Sequence, residues 1–430
     1  MRSIRGGVGR AAAILSAAVF VLGGAGVAIA GGAPGRLDPS FNGTGRAQIG
    51  FGGEVSETRA VAMQGHDIVV AGAVGYEADE DMAVIRLNAD GTLDRTFGGG
   101  DGRFVRNMFG DADLANAVAV LPDDRILVAG QGYDPVSKTG RFVVLRLTPD
   151  GRLDRTFGGG DGIVVTKFAP GGAFGHAMTV LPDGRFVVCG FYAGASSGFA
   201  LVRYRANGGL DTAFGSSGRV VTTFPGQDEA ICTAVTRVGA KVMAVGTVWD
   251  GSTYSFAAAR YRRDGILDPS FDGDGIATFA PASTSNCVSG VVALPDDRVV
   301  LAGTVSDGVN PPDVALLRLT PTGTPDTSFG GGDGIVIDDI GSADQAGGLV
   351  RQRDGKLILV GFRNPDMFVA RYRPLGTRDA GFAKNGVQSS PWSLGASTAS
   401  AVVLDGSKIV VVGNVRPGPH SRFAVERLFR

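Results

Sequence analysis

Residues Leu121–Gly162 read LPDDRILVAGQGYDPVSKTGRFVVLRLTPDGRLDRTFGGGDG. Two apolar runs, RILVAG and RFVVLRL, are each too short for a helix and rich in β-branched residues. The Pro-Asp-Asp before the first run and the Pro-Asp-Gly after the second have the composition of tight turns. The stretch closes on Leu-Asp-Arg-Thr-Phe followed by glycines, and this signature recurs along the chain. Its Asp returns as Asp38, Asp94, Asp154, Asp211, Asp268, Asp326 and Asp379. The Phe three residues later is present every time, as Phe41, Phe97, Phe157, Phe214, Phe271, Phe329 and Phe382. An apolar run ending in Gly also occurs seven times, at Gly72, Gly130, Gly190, Gly246, Gly303, Gly361 and Gly413.

Each unit of about sixty residues holds four β-rich runs, which around residue 130 are ANAVAVLP, RILVAGQ, RFVVLRLTP and GIVVTKF. Near-continuous apolar strands mean sheets covered on both faces. Helix-length periodicity is absent. Evenly spaced four-stranded units buried on both sides predict blades around an axis, an all-β, seven-bladed β-propeller of antiparallel blades. An open solenoid would need polar capping repeats, and none is present.

A pair of charges predicts how the ring closes. An Arg stands in the third run of every unit: Arg86, Arg146, Arg203, Arg260, Arg318, Arg371 and Arg427. Six of them have the motif Asp eight residues later. Arg427 has none, and Asp38 has no repeat Arg before it. The count closes if Asp38 meets Arg427, with about 45–51 supplying the outer strand of the last blade and about 401–428 the other three. Each Arg is expected to grip its Asp with the two-pronged geometry that a guanidinium offers a carboxylate.

These motifs resemble the delta-60 repeat family of bacterial secreted and surface proteins. LDRTFGGGDG at Leu93–Gly102 and Leu153–Gly162, and LPDGRFVVCG at Leu181–Gly190, are close to the family pattern. Pro325 and Arg378 replace the motif Leu, and Val238-Gly239-Ala240 stands where other units have Pro-Asp-Gly. The resemblance implies a propeller and an exported location. It implies no activity.

The first thirty residues differ in kind. Arg2, Arg5 and Arg10 precede an apolar run ending in Ala28-Ile29-Ala30, the pattern of a secretory signal peptide cut after Ala30. An uncleaved anchor is the alternative. The expected organisation is a signal peptide over 1–30 and one propeller domain over 31–430, secreted and monomeric. Forty-one Lys+Arg against forty-two Asp+Glu give no basic footprint for nucleic acid and no polybasic membrane patch. Of three cysteines, Cys189 lies in an apolar run and reads as a small buried hydrophobe. Cys232 and Cys287 fall at similar places in neighbouring units. They are the candidate disulfide for an oxidising compartment, with no disulfide as the alternative.

Chemistry is sparse. No HExxH or CxxC motif occurs, and no cofactor is required by any motif. Residues shared by all units read as architecture. Calcium has one weak sequence candidate, Asp272 and Asp274 in the turn after Phe271. Function is expected where the units differ, on the face formed by the links between units and by the loops after the second run. The acidic residues there are Asp111, Asp113, Asp228, Glu229 and Asp344, expected around the channel mouth. Tyr76, Tyr133, Tyr192 and Trp249 follow the second run, and His176 alone of three histidines is expected at the channel. Acidic groups beside aromatic rings suit a cation, a sugar or a peptide. The reading is a non-catalytic binding module for an extracellular or cell-surface glycan, peptide or protein. The alternative is a metal-assisted hydrolase or lyase at the channel mouth.

Overall fold

The computed structural model describes residues 32–430 apart from 77, 78, 283, 394 and 419. The signal-peptide reading of 1–30 lies outside them. The described chain forms seven four-stranded antiparallel sheets, and each inner strand contacts the inner strand of the next blade right round the ring. Among the described residues no helix is long and apolar enough to cross a membrane. Blade 1 runs outward as Val55–Gln64, Asp67–Tyr76, Asp79–Leu87 and Arg103–Arg106. Blades 2 to 6 repeat this order. Blade 7 is composite: Ser397–Asp405, Lys408–Val415 and Arg422–Phe429 carry Arg46–Ile49 as their outer strand. Ala47 pairs with Val425 and Ile49 with Phe423. The backbone N–H of Asp38 donates to the Arg427 carbonyl at 2.8 Å, so the N-terminal segment completes the last blade as its outer strand.

There is no single core. Seven apolar clusters fill the seven seams between neighbouring blades, and each takes in one motif Phe. Every one of these rings is at most 1 % exposed. This is why the second and third strands read as unbroken apolar runs: each of their faces packs on a different neighbour.

The repeat Arg ties a seam together. All seven sit 2.7–2.9 Å (Nε to Oδ2) from their Asp, Arg427 with Asp38 included. The two-pronged grip is not what forms. The guanidinium divides its nitrogens among different partners. Arg146 Nη1 donates to the Ala206 carbonyl of the following blade at 2.6 Å, and its Nη2 to Thr156 at 2.8 Å. Six of the seven reach a carbonyl of the next blade in this way. Each guanidinium also lies over its motif Phe at 4.6–4.9 Å from the ring centre, a cation–π contact. Sharing one cation among three partners satisfies more of its five N–H groups than a carboxylate fork would. Six of the Asp residues meet a second cation from the second strand or the turn before it: Arg125, Arg185, Lys241, Arg298, Lys356 and Lys408. In blade 1 that place is held by Asp67, and Arg86 is the only ion-pair partner of Asp94 among the described residues.

The recurrent Gly of the second strand has its own cause. All seven inner strands carry a bulge at the same place, where Arg59, Asn116, His176, Thr233, Ser289, Gly347 and Ser400 stand. The bulge pushes a carbonyl of the inner strand against the Gly. A Cβ on Gly246 would lie 1.9 Å from the Ile231 oxygen, and on Gly190 1.8 Å from that of Phe174. Only hydrogen fits there.

The cysteine pairing corrects the sequence reading. The disulfide joins Cys189 to Cys232, with Cα atoms 6.0 Å apart, and Cys287 is free. Cys232 and Cys287 are one register apart. Cys232 pairs with Gly246, whereas in the next blade it is Val288 that pairs with the equivalent Gly303, and Cys287 pairs with Thr304. A shift of one residue turns a strand side chain to the opposite face. Cys232 therefore faces blade 3, where Cys189 lies in the same apolar cluster.

Candidate functional site

The bulge residues form a polar belt around the axis. Asn116 Nδ2 donates to the Gly175 carbonyl at 2.8 Å, and Thr233 Oγ1 to that of Val288 at 2.9 Å. His176 Nδ1 lies 3.1 Å from the Cys232 carbonyl. In each case the acceptor directly precedes the bulge residue of the following blade. His176 is only 7 % exposed, and burial draws its pKa down to about 4. It is neutral at pH 7, with the proton on Nδ1 because a carbonyl can only accept. His176 thus stitches blade 3 to blade 4 instead of presenting an open imidazole. At Gly347 the belt closes by backbone approach, since a Cβ there would stand 2.1 Å from the Ala399 oxygen.

The acidic residues expected around the mouth divide into two groups. Asp113 and Asp344 are fully buried. Each uses Oδ2 to accept two backbone N–H groups of the preceding link, those of Met108 and Phe109 at 2.6 and 3.0 Å, and of Ile340 and Gly341 at 2.6 and 2.8 Å. Desolvation pushes Asp113 up to about 6, reinforced by Asp81 and Asp111. Asp111 is half-buried and accepts the Ala112 N–H. Asp228 and Glu229 are exposed beside Trp249: Glu229 pairs with Trp249 across the ladder, and the Asp228 N–H donates to the Trp249 carbonyl. Trp249 stacks on Tyr254 with ring centres 6.0 Å apart. Tyr192 packs against Phe168, and its hydroxyl accepts the Gly171 N–H. Tyr133 is the penultimate residue of the second strand of blade 2, half-buried. Asp272 and Asp274 are exposed in the turn between the third and outer strands of blade 4. There Asp274 accepts the Ile276 N–H, as Asp101, Asp161 and Asp333 do for their own turns. Antiparallel order puts these turns at the opposite end of the blades from the link face.

The sequence reading missed a cleft at the seam of blades 7 and 1. It has a volume of about 390 Å³ and is lined by Phe51, Glu54, His420, Arg422 and the glycines around them. That size falls in the range of small-ligand sites, roughly 300–1,000 Å³. Tyr76 stands behind two of these lining residues: its hydroxyl donates to the Gly53 carbonyl at 2.5 Å, and its ring meets that of His420 edge-on, with centres 5.8 Å apart. Phe51 is held edge-on against Phe423, with the Arg103 guanidinium 5.5 Å from its ring centre. His420 Nδ1 is buried and has no hydrogen-bond partner among the described residues. The walls come from opposite ends of the chain, and the only sequence signal was the aromatic Tyr76.

One family profile agrees with the architecture. Residues 67–97, 121–157, 181–214, 294–329 and 352–382 match the profile of a family described as a domain of unknown function (DUF5122) beta-propeller. No functionally curated protein matches. Among solved structures, the chain resembles virginiamycin B lyase from Staphylococcus aureus at 10 % identity and a TM-score of 0.48, covering 89 % of this chain and 98 % of that one. A puromycin hydrolase gives 12 % identity and 0.46, covering 83 % of this chain; the match spans only 50 % of the hydrolase. A protein of unknown function from Dyadobacter fermentans gives 14 % and 0.44, covering 90 % and 99 %. These neighbours include enzymes and proteins without assigned activity. The profile matches and the seven four-stranded sheets together make this chain a β-propeller repeat protein.

Proposed function

We propose that the protein is an exported binding module of the delta-60 type, which takes a glycan or peptide on its link face at the cleft between blades 7 and 1. The observation that carries this reading is the convergence of Phe51, His420 and Arg422, backed by Tyr76, around a buried His420 Nδ1 that no group among the described residues satisfies. A buried polar atom without a partner costs about 1–3 kcal/mol, and a ligand hydroxyl or amide entering the cleft would relieve it. Aromatic walls with one cation and one carboxylate suit sugar rings and peptide side chains better than apolar ligands. The Trp249–Tyr254 stack beside Glu229 offers a second surface of the same chemistry.

The test is a glycan and peptide array probed with the wild type and with Tyr76→Ala and His420→Ala. Tyr76 is 49 % exposed, so its removal leaves folding intact. Binding that both variants lose, at unchanged Tm, supports the cleft. Binding that both retain moves the site elsewhere, and an array without hits removes the support for recognition.

A further inference from the structure

We infer that the seam between blades 5 and 6 holds a calcium ion on Asp313, Asp339 and Asp344. One carboxylate oxygen from each lies within 4.8 Å of the others. Two oxygens on opposite sides of a calcium ion, each at about 2.3–2.6 Å, are roughly 4.6–5.2 Å apart, so the three fit around one ion. Asp313 opens the third strand of blade 5, Asp339 follows its outer strand, and Asp344 opens the inner strand of blade 6.

Proximity of carboxylates would not by itself make a site. The second observation is Asp344 Oδ1, which belongs to a fully buried residue and has no hydrogen-bond partner among the described residues. Its Oδ2 is already saturated by the Ile340 and Gly341 N–H groups. The protein solves the same problem differently one seam earlier. Asn286 stands at the equivalent place, three residues before the bulge, and its Oδ1 accepts the Ala282 N–H at 2.9 Å. Its Nδ2 donates to the Tyr254 carbonyl at 2.8 Å. Asp344 puts an acceptor oxygen where Asn286 has a donor, so the seam offers a free carboxylate oxygen to a cation. No ion pair among the described residues reaches any of the three carboxylates. The nearby Arg378 is engaged by Asp338 at 2.6 Å.

The arrangement occurs twice. Aligned on the repeat Arg, the motif Gly and the bulge, Asp81, Asn107 and Asp113 occupy the same three positions at the seam of blades 1 and 2. Asp113 Oδ1 is again buried without a hydrogen-bond partner among the described residues, while the Asp81 carboxyl takes a hydrogen bond from Asn107. With one carboxylate replaced by an amide, that seam is the weaker version of the site. All donors are oxygens, which select a hard cation. Three residues from irregular seam positions suit the flexible coordination of calcium better than the near-ideal octahedron of magnesium.

The test is isothermal titration of calcium into EDTA-stripped full chain, with thermal unfolding alongside. The expected dissociation constant is about 0.1–1 mM, as in extracellular modules. Ten millimolar calcium should then raise Tm by about 2–4 °C. Asp339→Asn copies the weaker seam and should lower the affinity about tenfold or more. Asp344→Asn copies Asn286, so it should fold without calcium and lose most of the Tm rise. Absence of binding up to 10 mM calcium, equal affinity of Asp339→Asn and wild type, or a full calcium response in Asp344→Asn would each overturn the assignment. A larger response to magnesium than to calcium would do the same. The cleft plays no part in this experiment, and array binding lost on Tyr76→Ala fails or survives independently of it.

Discussion

Replacing Arg86 with Ala should damage the protein more than the same change at Arg203, although both residues occupy the same place in their blades. Each Arg is buried and each neutralises a buried Asp. Asp211 keeps a second cation, Arg185 at 2.9 Å, when Arg203 is removed. Asp94 has no second cation among the described residues. Removing one member of a buried pair costs about 3–5 kcal/mol when the other charge is stranded. Arg86→Ala belongs at the top of that range, because Gln64 Oε1 loses the Arg86 donor at 2.5 Å as well. For Arg203→Ala the residual pairing leaves about 2–3 kcal/mol, mainly the Phe214 contact and the carbonyl of the next blade. An unfolding entropy of about 2.1 cal/mol/K per residue over roughly 400 residues is near 0.8 kcal/mol/K. The expected falls in Tm are therefore about 5–6 °C for Arg86→Ala and about 3 °C for Arg203→Ala, read by calorimetry at pH 7. Arg86→Ala combined with Asp94→Asn should recover part of the loss, since no stranded charge remains. A fall below 1 °C for Arg86→Ala, or a larger fall for Arg203→Ala, would refute the reasoning.

Other consequences are as direct. Gly246→Ala should cost about 2–3 kcal/mol, because its Cβ would overlap the Ile231 oxygen; Gly418→Ala, with no atom within 4 Å, should stay within about 0.5 kcal/mol of wild type in urea unfolding. Cys189→Ala opens a loop of 43 residues and should lower stability by about 3–4 kcal/mol; three free thiols in the denatured, unreduced wild type would contradict the bridge. In EDTA, Asp113→Asn should stabilise the protein. Folding raises this carboxyl from 3.8 to about 6, so the wild type loses stability as pH climbs from about 4 to 6, and the gain on substitution should grow over that window to about 2–3 kcal/mol and then level off. Equal stability of the two proteins at pH 4 and 8 would count against it. Asp38 and Asp154 lie at the other extreme: against the pull of desolvation, they are held at about 2 by Lys408, Ser40 and Arg427 around Asp38 and by Thr156 and Arg146 around Asp154. Their contribution, about 2 kcal/mol each, is complete above about pH 4 and fades as pH falls through 2, so the acid limb of the stability curve should be steep there.

The sequence alone determined the blade count, the direction in which the ring closes and the Arg–Asp partnership, because each is a repeated constraint. A pattern present seven times averages out local departures such as Pro325 or Val238-Gly239-Ala240, and the unmatched Asp38 and Arg427 had to find each other for the count to close. The recurrent Gly was visible too, but its cause, a carbonyl pushed in by the inner-strand bulge, was not, since a bulge changes register without changing composition. The same blindness to register misdirected the cysteine pairing, where a single residue decides which face a thiol takes. The cleft and the acidic seams were decided by tertiary structure alone. Phe51 and His420 are distant in sequence, and Asp313, Asp339 and Asp344 belong to three different strands or links of two blades. Nothing in the order of residues says that these groups share a seam; only the closing of the ring brings them within reach of one another, and only burial leaves Asp344 Oδ1 and His420 Nδ1 without a partner among the described residues.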